Sequence, residues 1–152
     1  MIRAFAALAF LAVAATAAAA TGVRWTTLAQ GTTEPSGKQV AVGYLALTRA
    51  KEQVWAPRLD AAGRAALKRL DLSTSAAVAV FLDGLPCASR IAVGAVTRAG
   101  TTLTVRILYT RPPIGVAACV RTSTAYVVLA VKRSSLGRPV PNRVAIVARA
   151  RT

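Results

Sequence analysis

The sequence predicts a mainly β fold with one or two covering helices, built as a small β-sandwich or partly open barrel. Strand-like apolar runs recur at 78–82, 91–99, 101–109 and 126–132. Glycine- and proline-bearing connections separate them, and helical spacing is found between Thr48 and Leu70.

The first residues belong to export rather than to the fold. Met1-Ile2-Arg3 gives a positive start, Ala4 to Ala15 an apolar middle, and Ala18-Ala19-Ala20 a small-residue end. That is a secretory signal peptide pattern, with cleavage expected after Ala20. Residues 21–152 then form a single β-rich domain, placed outside the cytoplasm as a secreted or periplasmic chain, and a bacterial source fits this pattern.

In chain order, Trp25 and Leu28 mark a first strand or extended arm, and Gly31 to Gly37 reads as a turn. Val40 to Leu47 is apolar on both faces, which predicts a central strand. Thr48 can cap a short helix over 49–56, with Val54 and Trp55 on its buried side and Pro57 at its end. A firmer helix runs over 60–70, capped by Asp60, with Leu59, Ala62, Ala66, Leu67 and Leu70 as its stripe and Gly63 as a weak point.

Five successive apolar residues from Val78 to Leu82 predict a strand covered on both faces. A hairpin follows, turning at Gly100. Its second strand alternates Leu103, Val105, Ile107 and Tyr109 against Thr102, Thr104, Arg106 and Leu108, which places Arg106 in solvent. Val127, Leu129 and Val131 share one face of the next strand. Val144 to Ala148, flanked by Arg143 and Arg149, suits an edge, where charge discourages pairing with other molecules.

Twenty Lys and Arg stand against five acids and no histidine, a net charge of +15. Histidine-based general bases and metal sites are therefore excluded, and two cysteines alone make no tetrahedral zinc site. The acids Glu34, Glu52, Asp60, Asp71 and Asp83 show no calcium-loop spacing. Asp71 and Asp83 read as turn acids rather than a catalytic pair. Ser73 and Ser75 read as turn residues, with no nucleophile elbow beside them. No cofactor is expected. An exported chain with two cysteines admits one intramolecular disulfide, Cys87 to Cys119, which would tie the loop after one strand to the loop before another.

The stretch 71–73 followed by 78–86, the hairpin strand 91–99 and the late strand 122–132 resemble the PrcB-like family, named for a protease complex subunit. Arg49 to Trp55 resembles the family's upstream helix with tryptophan. Before Ile91 the chain departs from the family pattern, with Ala88, Ser89 and Arg90 where a glycine and an aromatic are usual. The resemblance implies an exported accessory domain without catalytic residues, contacting a protease or another envelope protein.

The function expected from these readings is a non-enzymatic binding or accessory module, monomeric, with no dedicated nucleic-acid partner. Its candidate interaction surface is the loop system around the two cysteines, with Arg90, Arg111 and Arg121 as contacts. The alternatives are a basic protein that binds an acidic envelope polymer, a protease inhibitor presenting Arg111-Pro112-Pro113-Ile114, and a small secreted enzyme.

Overall fold

Two four-stranded sheets face one another, and two helices cover the outer side of one of them. The computed structural model describes residues 20–34, 41–86, 89–110 and 122–151. The expected signal segment up to residue 19, both cysteines, Arg111, Arg121 and the 111–114 loop lie outside the described residues. In chain order the elements are β1 (Thr21–Gly22), β2 (Trp25–Thr33), β3 (Ala41–Ala46), α1 (Arg49–Glu52), α2 (Ala61–Lys68), β4 (Ser75–Pro86), β5 (Arg90–Ala99), β6 (Thr102–Thr110), β7 (Thr122–Lys132) and β8 (Arg143–Ala150). One sheet has the order β1-β5-β6-β8 and the other β2-β7-β4-β3. Neither closes on itself, so the fold is the open sandwich rather than a barrel. Among the described residues, no helix is long and apolar enough to cross a membrane.

The sequence dictates the position of β4 directly. Its alternate residues Ala76, Val78, Val80 and Leu82 join Val127, Leu129 and Val131 of β7, and Val96, Leu103, Val105 and Ile107 of the opposite sheet, in the core between the sheets. The intervening Ala77, Ala79 and Phe81 join Tyr126, Val128, Trp55, Leu59 and Leu67 in a second core under the helices. A strand buried on both sides needs apolar residues without alternation, and 78–82 supplies them. Each of these Val and Leu side chains contributes roughly 1.5–3 kcal/mol through burial.

The hairpin is as expected. Gly100 has a φ of +56°, a left-handed conformation that favours glycine at the turn between β5 and β6. β8 is an edge strand as expected, yet it runs parallel to β6, pairing Thr102 with Arg143 and Tyr109 with Ala150.

β3 corrects one expectation, since it is an edge and not a central strand. It reads as central because both its faces are covered. Leu45 and Leu47 pack against the core between the sheets, while Tyr44 and Ala46 reach the helix-side core. Gly31 to Thr33 likewise belong to β2 and not to a turn.

The helical region keeps its expected caps. The Thr48 side chain accepts from the Lys51 N–H, and Asp60 accepts from the Gly63 N–H at 2.7 Å. α1 stops at Glu52, and the chain passes through a 3-10 turn at Ala56–Arg58. That early stop leaves Val54 in solvent and Trp55 buried. Arg49 of α1 reaches across to the carbonyls of Leu67 at 3.0 Å, Lys68 at 3.2 Å and Leu70 at 2.5 Å, so its cation sits at the negative end of α2. On the carboxylate side, Glu52 accepts from the same guanidinium at 2.5 Å.

The expected disulfide is corrected. No Cys87–Cys119 bond is present, because the two sulfurs make no close contact. The last described rung between β4 and β7 joins Pro86 to Thr122.

Candidate functional site

At one end of the sandwich β2, β4 and β6 finish and β3, β5 and β7 begin. At this end, along the flank where β2 and β5 come together, lies a cleft of about 610 Å³. Gln30, Gly31 and Thr32 of β2 and Ala125 of β7 form one wall. Ser89 with Arg90 and Ile91 of β5, Leu108 and Thr110 of β6, and Arg151 beyond β8 form the other.

The local fold explains why these side chains meet. β1 pairs only with Thr97 and Arg98, and the Val23 N–H bonds the Val96 carbonyl, so the first half of β5 has no described strand on its outer side. β2 is the edge of its own sheet on the same flank. Two strand edges thus border the cleft. The rung Arg90↔Thr110 and the bond from the Arg151 N–H to the Tyr109 carbonyl bring both arginines to its rim.

Charge separates this cleft from its neighbours. Among the described residues, its lining holds two arginines and no carboxylate, lysine or histidine. By contrast, a smaller depression of about 280 Å³ beside Leu82 and Tyr109 includes Asp83, and another of about 310 Å³ beside Thr124 includes Glu34 and Arg58. Ser89 is 9% exposed, and its Oγ has no hydrogen-bond partner among the described residues. A buried hydroxyl so placed can donate to or accept from a ligand. Among the described residues, the lining places no carboxylate, lysine or histidine beside it.

Of the expected surface residues, Arg90 lies at the cleft and is exposed, whereas Arg111 and Arg121 lie outside the described residues. Arg106 is exposed as expected. Ser89, Gln30 and Arg151 were not foreseen, since they are brought together from strand ends far apart in sequence. The acids resolve into structural roles. Asp71 accepts from the Ser73 hydroxyl at 2.7 Å and from the Ser73 N–H at 2.8 Å, which, the hydroxyl first, hold its carboxyl below the usual range. Asp83 accepts from the Thr124 hydroxyl and stands 3.7 Å from Arg58. The two acids belong to opposite ends of β4, so they form no carboxylate pair. Among the described residues, no group of three His, Cys, Asp or Glu side chains stands ready for a metal.

Behind the cleft wall, the Tyr126 hydroxyl donates to Asp60 at 2.8 Å. The bond from the Gly63 N–H first, and that from Tyr126 second, hold the Asp60 carboxyl below its ordinary range. Burial first, and Asp60 second, keeps the Tyr126 hydroxyl protonated well above the ordinary phenol range. Asp60 ionises more readily in the fold than in the open chain, so it adds stability above the usual carboxylate range and loses it as pH falls through its lowered folded value. Asp60→Asn keeps an N-cap but removes the charge. The advantage of the natural chain over this variant in urea unfolding should be level from about pH 8 to about pH 5 and shrink below about pH 4. An advantage that grows on acidification contradicts this assignment.

No family model, curated protein or solved structure matches the chain, so the likeness to the PrcB-like family rests on the sequence motifs alone.

Proposed function

We propose that the chain is an exported, non-enzymatic binding or accessory module that holds an acidic partner in the cleft between β2 and β5. The observation that carries this reading is the joint placement of Arg90 and Arg151 in a lining that, among the described residues, holds no carboxylate. Such a site attracts an anion from solution and supplies forked donors to hold it. The PrcB-like resemblance makes an acidic segment of a protease or other cell-envelope protein one such partner. The net charge of +15 supports the second reading, an acidic envelope polymer.

The test is charge reversal at the cleft. Arg90→Glu with Arg151→Glu should weaken binding of a fluorescent polyglutamate or polyphosphate probe at least about tenfold, or about 1.4 kcal/mol. Lys68→Glu with Arg69→Glu on the helical side makes the same charge change away from the cleft and should cost less than about threefold. Equal losses in the two variants remove the cleft from the proposal.

A further inference from the structure

We infer that the uncovered face of the sheet β1-β5-β6-β8 is a track for a linear, base-free phosphodiester polymer, of the polyol-phosphate kind found in cell envelopes. The inference rests on the cleft reading, because Arg90 and Arg151 form one end of the track. Val96, Leu103, Val105 and Ile107 occupy the inner side of this sheet. Alternation therefore turns Arg106, Arg143 and Arg149 outward, where all three are exposed. The register sets Thr102 beside Arg143, Arg106 beside Val147 and Leu108 beside Arg149.

Three observations separate this face from an ordinary basic surface. First, the strands β1, β5, β6 and β8 contain no acid, and all five acids of the chain belong to other parts. Second, the arginines elsewhere are mostly engaged within the fold. Arg49, Arg64 and Arg133 donate to backbone carbonyls, Arg58 reaches Asp83, and Arg98 donates to the Pro139 carbonyl at 2.9 Å. Arg90, Arg106, Arg143, Arg149 and Arg151 make no side-chain hydrogen bond or ion pair with the described residues. Third, both helices lie on the other sheet, so no described element covers this one.

The chemistry of the face selects the polymer. At about 3.3 Å per residue, Arg143 to Arg151 spans about 26 Å, long enough to meet several charged repeats at once. Guanidinium forks match phosphate oxygens, and threonine hydroxyls between them add further donors. Small residues such as Ala145, Thr102 and Thr104 let a chain lie close to the sheet. The outward positions carry no aromatic side chain on which a nucleic-acid base could stack.

Fluorescence anisotropy with labelled poly(glycerol phosphate), from 50 to 200 mM salt, tests the assignment. For three to five neutralised phosphates the log–log salt slope should lie near about −2 to −3.5. Arg106→Glu, Arg143→Glu and Arg149→Glu together should weaken binding at least thirtyfold and flatten the slope. The triple Gln variant should weaken it about tenfold, which keeps the test valid if charge reversal disturbs folding. Lys51→Glu, Lys68→Glu and Arg69→Glu together change the net charge equally and should cost less than threefold. Equal losses in the two Glu triples would reduce the effect to net charge and overturn the track. Tighter binding of a deoxythymidine 20-mer, or equal binding of polyglutamate, overturns the base-free phosphodiester assignment. If the Arg106, Arg143 and Arg149 variants bind normally while Arg90→Glu with Arg151→Glu does not, the track falls and the cleft reading stands.

Discussion

Truncation of Phe81 to alanine is expected to lower stability by about 3–5 kcal/mol, the largest effect of any single substitution proposed for this chain. Phe81 is fully buried in β4, on the side facing the helices. Tyr44 meets its ring edge-on at 6.0 Å between centroids, and Tyr126 lies tilted at 6.3 Å. The Arg58 guanidinium carbon is 4.1 Å from the ring centre. Alanine would therefore leave a cavity, remove two ring contacts and strip the surface on which Arg58 rests while it reaches Asp83. Phe81→Leu separates these contributions, because it fills most of the volume but offers no ring. It should cost about 1–2 kcal/mol. Arg58→Met should then be less damaging when combined with Phe81→Leu than in the natural chain. Urea unfolding followed by the fluorescence of Trp25 and Trp55 measures all of these. A loss below about 1 kcal/mol for Phe81→Ala would show that the helix-side core closes around the gap.

The parts of this fold legible in the sequence are those where one strand's own pattern decides its surroundings. The unbroken apolar run of β4 requires two covers, and the alternation of β6 requires one. Asp60 and Thr48 act within three residues of themselves, so their capping roles could be read locally. The misses depend on what lies across space. β3 reads as central because helices and the opposite sheet cover an edge strand. The parallel pairing of β8 with β6 is invisible because β7, which lies between them in sequence, belongs to the other sheet. Val54 shares the spacing of a helix that ends two residues earlier. The candidate site was legible only at Arg90. Its other members come from β2, β6 and the end of the chain, and no periodicity links such distant positions.

Gly63 shows how far a local reading can mislead, because helix propensity alone favours alanine there by about 1 kcal/mol. The expected result is the opposite, a net destabilisation of about 1–3 kcal/mol for Gly63→Ala. Gly63 is the point where α2 meets β7. A Cβ at this position would stand 2.6 Å from the Tyr126 hydroxyl, 3.1 Å from its Cζ and 3.2 Å from the Leu59 Cβ. Gly31 of β2 leaves room on another side, where a Cβ would lie 2.8 Å from the same hydroxyl and 2.9 Å from an Asp60 carboxylate oxygen. Two glycines therefore make the space in which Tyr126 bonds the helix cap, and the buried phenol cannot swing into solvent to relieve a clash. Tyr126→Phe alone should cost about 1–2 kcal/mol through the lost bond to Asp60. In the Tyr126→Phe variant the closest obstacle is gone, so adding Gly63→Ala should cost at least about 1 kcal/mol less than in the natural chain, a clear departure from additivity. Denaturant titration of the four chains in this cycle decides the matter. A neutral or stabilising Gly63→Ala, or strictly additive costs, would mean that the helix shifts on the sheet and that the close approach at Tyr126 is not what requires glycine.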